Sequence, residues 1–199
     1  MSAQKMNTEA RREQIARAAL ELFAHEGVEG FSIAKLAQAV GLVPSAIYRH
    51  FSSKEEVLEA SLDVFRDKLY GLVEAARDES DNPLETLESL LNKHAKLVSS
   101  GKGAPHLLLS SDVSSGHAER RAKLHGIFNG YIKRIEGITR EGQAQGSIRK
   151  DIESETIALL FAGLIQPAAL LMITKGKSFD LPKHVSKAWL LFSQAIRPE

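Results

Sequence analysis

Residues 30 to 54 read Gly-Phe-Ser-Ile-Ala-Lys-Leu-Ala-Gln-Ala-Val-Gly-Leu-Val-Pro-Ser-Ala-Ile-Tyr-Arg-His-Phe-Ser-Ser-Lys. These 25 positions hold Lys35, Arg49 and Lys54 and not one Asp or Glu, while Glu29 precedes them and Glu55, Glu56 and Glu59 follow. Residues 1–60 together carry 7 basic and 8 acidic groups, so the positive charge is concentrated rather than abundant. Arg11, Arg12 and Arg17, just upstream, add to it. Ser32 is a suitable N-cap for a short helix with Ile33, Leu36, Ala37 and Val40 on its inner face, and Gly41 ends that helix. Pro44 suits the first turn of a second helix, where its missing N–H costs nothing. Two short helices joined at Gly41 by a tight turn make a helix-turn-helix.

The second helix, about Pro44 to Phe51, would be about 11 Å long. That length suits a major groove about 12 Å wide. Ile47 and Phe51, four apart, turn toward the core. Ser45, Ala46, Tyr48, Arg49 and His50 then point outward, and an arginine there can read guanine O6 and N7 with two hydrogen bonds. Lys54 and the amides that open the next helix lie where a phosphate would sit. A carboxylate in this stretch would repel the backbone it approaches.

Upstream, Ile15, Ala18, Ala19, Leu22 and Phe23 recur at helical spacing, with Thr8 as a possible cap and Gly27 past the end. Downstream, Ser53 and Glu56 form a capping box opening a long helix whose stripe is Val57, Leu58, Leu62, Phe65, Leu69, Leu72 and Val73. With these flanks in place, residues 14–60 resemble the N-terminal domain of TetR-family transcriptional regulators. The resemblance rests on Ile15-x-x-Ala18-Ala19-x-x-Leu22-Phe23, Gly27, Ser32-Ile33-x-x-Leu36-Ala37, Gly41-Leu42 and Ile47-Tyr48-x-His50-Phe51-x-x-Lys54-Glu55-x-Leu58. It implies that Tyr48 and Lys54 contact phosphates and that Pro44, Ser45 and Arg49 vary with the operator. His50 matches a position that meets the DNA backbone in some members and packs in others. Phe31 departs from the family's frequent Thr. The expected DNA-contacting set is Ser32, Lys35, Pro44, Ser45, Ala46, Tyr48, Arg49, His50 and Lys54.

The rest of the chain is helical in period. Asp78 to Pro83 breaks it, and Asn82 with Glu85 restarts a helix through Leu84, Leu87, Leu90, Leu91, Leu97 and Val98. A loop at 101–105 and a short apolar piece, His106 to Ser111, lead to a long helix from about Ala118 to Ala144. Asn129-Gly130 inside it is a hairpin signal in isolation, yet Leu124, Ile127, Phe128, Tyr131, Ile135 and Ile138 keep the helical period across it. Helices follow at about Ile152 to Thr174, kinked at Pro167, and about Lys183 to Ile196. The expected fold is all-α, about nine helices and no sheet: a helix-turn-helix DNA-binding domain over 1–55 and a helical ligand-binding and dimerisation domain over 56–199.

Composition narrows the function. In 199 residues there is no cysteine, which excludes disulfides, thiolate metal sites and a cysteine nucleophile and agrees with a cytoplasmic setting. Lys+Arg number 26 against 25 Asp+Glu, which excludes a histone-like positive coat but not a local basic patch. His94, His106, His117 and His125 have no metal-ligand spacing, so no metal is expected. No GxSxG, P-loop or GxGxxG string occurs, so the chain is read as no enzyme and as needing no cofactor. The uncharged run Ile157 to Ile173 falls short of the roughly 20 residues of a membrane span and contains Gln166-Pro167. It reads as a buried helix of a soluble protein. The last two helices are apolar around more than one face, so a partner subunit covers the second side.

These readings describe a homodimer on a pseudo-palindromic double-stranded operator, acting as a repressor. An unidentified, mostly apolar small-molecule inducer would occupy a pocket drawn from Phe65, Leu69, Leu91, Leu108, Phe128, Tyr131 and Gln166. The alternative is a DNA-associated protein that acts through a protein partner instead of an inducer.

Overall fold

The computed structural model describes residues 8–27, 30–100, 118–175 and 179–198. Its elements are α1 (Thr8–Glu26), α2 (Ile33–Ala39), α3 (Pro44–Ile47), α4 (Lys54–Arg77), α5 (Pro83–Ser99), α6 (Ala118–Gln145), α7 (Ser154–Gly163), α8 (Gln166–Lys175) and α9 (Leu181–Ile196). Among the described residues there is no strand, and the helices number eight if α7 and α8 are taken as one broken helix. The expected piece at His106 to Ser111 and the expected pocket residue Leu108 lie outside the described residues.

Contacts divide the chain into two compact units, one from the described parts of 1–67 and 101–124, the other from those of 68–100 and 125–199. The division thus falls between Asp67 and Lys68 inside α4, and between Leu124 and His125 inside α6.

In the first unit α2 packs on α1 and on α3. The buried stripe of α1 is Ile15, Ala16, Ala19, Leu20, Phe23 and Ala24. Sequence spacing pointed to Ala18 and Leu22 beside the shared column 15-19-23; both choices satisfy a 3.6-residue period, and packing selects the Leu20 side. Ser32 caps α2 by accepting from Lys35 N–H at 3.2 Å. Gly41 ends the helix with φ +67°, a conformation that glycine adopts without steric cost. The second short helix is one turn rather than two. α3 ends at Ile47, and Tyr48 to His50 continue as turns in which His50 N–H and Phe51 N–H both donate to Ile47 O, at 2.9 and 3.0 Å.

In the second unit α9 packs on α5, and α8 packs on α7 and α9. Asn82 caps α5, its Oδ1 accepting from Leu84 and Glu85 N–H, and Pro83 follows at the helix start. Asp180 caps α9 through Lys183 N–H at 3.0 Å. Asn129-Gly130 makes no hairpin: α6 runs through it, since Ile127, Tyr131, Ile135 and Ile138 are all buried on one side. Gly130 has its own reason to be glycine. A Cβ there would overlap the Tyr70 hydroxyl, which donates to Ile127 O at 3.1 Å.

The predicted kink at Pro167 is a full interruption. Leu164 and Ile165 form a turn, Leu164 N–H donates to Phe161 O at 3.1 Å, and Pro167 sits in the first turn of α8. Residues Ser154–Met172 are long and apolar enough to cross a membrane by length and composition. The interruption leaves two 10-residue helices, each about 15 Å long, half of a hydrocarbon core about 30 Å thick.

Candidate nucleic-acid interface

Pro44, Ser45, Tyr48 and Arg49 all lie on the exposed face of the helix-turn-helix. Tyr48 is 53% exposed and Val43, immediately before α3, 61%. Beneath them Ile47 and Phe51 are buried, as their four-residue spacing requires. Ala46 is a correction: it is 3% exposed and packs inward. The reason is the packing of α3 on α2, which buries the neighbouring pair Ala46-Ile47 instead of Ile47 alone.

His50 also departs from the expected outward direction. It is part-buried, and its Nδ1 is enclosed without a hydrogen-bond partner. Its carbonyl accepts a hydrogen bond from Arg12 Nη1. The same guanidinium donates through Nη2 to Glu56 Oε1 at 2.7 Å and lies over the Phe51 ring, 4.2 Å from its centroid. Glu56 Oε2 accepts from Ser52 N–H at 2.6 Å and Ser52 Oγ at 2.8 Å, while Ser53 Oγ accepts from Glu56 N–H at 3.1 Å. The expected capping box is therefore present with its return bond displaced by one residue, onto Ser52 instead of Ser53. Hydrogen bonds from the Ser52 amide, the Arg12 guanidinium and the Ser52 hydroxyl hold the Glu56 carboxyl down to about 2. This network ties α1, the exit of α3 and the start of α4 into one frame beneath Tyr48 and Arg49.

Local pairing thins the basic stretch. Lys35 pairs with Glu26 and also donates to Gly30 O at 3.0 Å. Arg17 pairs with Glu13 at 2.5 Å, Arg12 with Glu56, and Arg11 donates to Gln14 Oε1 at 2.7 Å. Lys54 donates to Phe31 O at 3.2 Å, with its ammonium 5.4 Å from the Phe31 ring centroid. Arg49 makes no side-chain hydrogen bond or ion pair among the described residues. Sequence spacing missed the Glu26–Lys35 and Arg12–Glu56 pairs, which join residues 9 and 44 positions apart.

Of the seven expected pocket residues, six are described. Phe65 of the first unit is buried, as are Leu69, Leu91 and Tyr131 of the second. Phe128 is part-buried, whereas Gln166 is exposed at the start of α8. Tyr131 Oη lies 3.0 Å from His94 Nδ1, and the two rings meet edge-on at 5.5 Å. Desolvation lowers His94 to about 4 and raises the Tyr131 hydroxyl, so both are neutral near pH 7. Among the described residues no group of three or more His, Cys, Asp or Glu could hold a metal.

A different surface distinguishes α7 and α9. Leu159 and Leu160 are each 59% exposed, Leu190 56% and Leu191 69%. Beneath them Phe161 packs against Phe192, with ring centroids 5.7 Å apart.

Residues 15–61 match the family described as bacterial regulatory proteins, tetR family, and residues 65–195 match the YsiA-like protein C-terminal region. The Fatty acid metabolism regulator protein of Bacillus subtilis is 25% identical over 171 residues, covering 84% of this chain and 86% of its own. Nucleoid occlusion factor SlmA of Idiomarina loihiensis is 24% identical over 197 residues, covering 98% of each. The crystal structure of the regulator FadR from Bacillus subtilis in complex with stearoyl-CoA superposes with a TM-score of 0.74 at 22% identity. That match covers 92% of this chain and 98% of the other.

Proposed function

The chain belongs to the TetR family of bacterial regulatory proteins, DNA-binding regulators of transcription, and from that premise we propose that it is a homodimeric repressor released by a small, mostly apolar ligand. The observation that carries the reading is Arg49, exposed beside Tyr48 and without a side-chain hydrogen bond or ion pair among the described residues. Arg49 reads a guanine in the major groove; Tyr48, Lys54 and the outer edge of His50 approach phosphates, with Ser32 and Lys35 flanking. Lys54 must leave the Phe31 carbonyl, and Lys35 must share its charge with Glu26, to do so. Residues 1–55 act as the DNA-binding head and 56–199 as the sensing and dimerising part.

The exposed leucines of α7 and α9 support the dimer: a second copy of the same face covers them, and two heads then meet successive major grooves about 34 Å apart. For the ligand, the support is the buried, neutral apolar interior of the second unit and the fatty-acid regulator among its relatives. An acyl chain or an acyl thioester is the class that fits. Such a ligand releases the operator only by binding the DNA-free conformation more tightly. The near full-length similarity to a nucleoid occlusion factor supports a second reading, action through a protein partner.

One titration separates these. Operator fragments enriched from genomic DNA are bound by the protein, and long-chain acyl thioesters are added. Release at micromolar ligand supports the sensing repressor. Retention of DNA with every acyl chain length removes it in favour of the partner. On the same fragments Arg49→Ala should weaken binding by about 1–3 kcal/mol, through one base position; unchanged affinity would remove Arg49 as the reader.

A further inference from the structure

We infer that the head reads thymine by its 5-methyl group, through Val43 and Pro44. The inference rests on the DNA-binding reading above and specifies what that surface recognises. Val43 is the N-cap of α3, extended at φ −94° and ψ 152°, and provides no side-chain cap bond. Valine is among the poorest residues for that position, where Ser, Thr, Asn or Asp would satisfy an amide. It is also 61% exposed, so neither local structure nor water explains an apolar side chain there. Avoiding charge does not explain it either, because Ser, Thr and Asn are neutral caps.

Pro44, next to it, is exposed and has no N–H to offer. Ala46 is turned inward, so Ser45 is the one polar side chain at the leading end of α3, with Tyr48 and Arg49 following one turn later. The leading end of a recognition helix is the part that meets base edges. Among the base edges of the major groove, apolar contact is made with the thymine C5-methyl. An exposed Val-Pro pair at that end therefore matches A·T pairs presenting thymine, beside the guanine read by Arg49.

The test uses the full chain and a random duplex library. Selection should enrich sites with thymine next to a guanine in each half-site. Deoxyuridine then replaces each of those thymines, deleting the methyl and nothing else. Binding should weaken about fourfold per methyl lost, the transfer value of one buried carbon. Val43→Ser, which restores a cap and so keeps the head folded, should reduce that methyl dependence to the part that Pro44 supplies. Enriched sites without thymine at these positions would overturn the inference. So would equal binding of both bases by the unmodified protein, or undiminished methyl dependence in Val43→Ser. Failure to enrich any duplex would overturn the DNA-binding reading as well, whereas enrichment without methyl dependence overturns this inference alone.

Discussion

The helix-turn-helix and the α7–α9 face both expose apolar side chains, yet they are built differently. At the first, Val43 and Tyr48 stand over a frame of charged hydrogen bonds, donated by Arg12 to His50 O and Glu56 and by the Ser52 amide and hydroxyl to Glu56. At the second, Leu159, Leu160, Leu190 and Leu191 stand over aromatic packing of Phe161, Phe192 and Trp189. A surface that must fix a few atoms against a polar ligand is held by directional bonds. One that only excludes water is held by shape. The two should therefore fail by different routes.

The largest effect should follow from charging the leucine face. Leu160→Glu with Leu191→Glu should convert the protein to a monomer in sedimentation, and operator affinity should fall about 10²–10⁴-fold as the second head is lost. A dimer that survives both changes would show that this face is not the seam.

Acid should separate the units next. A His94 held at about 4 is neutral in the fold, whereas the unfolded residue takes its proton near 6.5. Its contribution is complete above pH 6.5 and is lost as pH falls toward 4. Urea unfolding between pH 7 and 4 should show a loss of roughly 3 kcal/mol, at about 1.4 kcal/mol per unit, and His94→Gln should abolish that dependence. Glu56 acts lower. With its carboxyl at about 2 against 4.5 unfolded, its contribution is complete above pH 4.5 and is lost as pH falls toward 2. Partial exposure makes that effect the smaller one, to be seen as a flatter acid transition in Glu56→Gln by near-UV circular dichroism.

Between these two lies Gly142→Ala. The new Cβ would meet Ile148 Cδ1 at 2.5 Å and Pro83 Cβ at 3.1 Å, with Ile148 fully buried. Overpacking should cost about 1–3 kcal/mol in thermal unfolding and leave the operator preference of the folded fraction unchanged. A shift in that preference would mean that the two surfaces are not independent.

Helix existence was legible because periodicity and caps are local: Ser32, Asn82 and Asp180 each accept bonds from amides two or three residues on. Which of two adjacent columns of α1 faces inward was not, because Leu20 and Leu22 both satisfy the period and only the neighbour chooses. The outward placing of Tyr48 and Arg49 was legible, because the buried pair Ile47 and Phe51 fixes the opposite face. The inward turn of Ala46 was not legible, because the Ile47-Phe51 spacing marks the centre of the inner face and only packing against α2 sets its width. The pairing of Lys35 with Glu26 and of Arg12 with Glu56 had no sequence signal, since each depends on tertiary proximity between separate segments. Gln166 has no sequence signal for its exposure, which follows from the interruption before Pro167 that makes it the first residue of a new helix.

Gly130 and Tyr70 show what such packing does to a lineage. The tyrosine hydroxyl occupies the space of the missing side chain and is bonded to Ile127 O. Any descendant that acquires alanine at 130 while keeping the tyrosine inherits a clash, whereas one that first trades Tyr70 for a smaller residue can accept alanine with little penalty. The two positions are thus easier to change in one order than in the other. Related chains should carry a bulky residue at one of the two sites and a small one at the other, and seldom bulk at both.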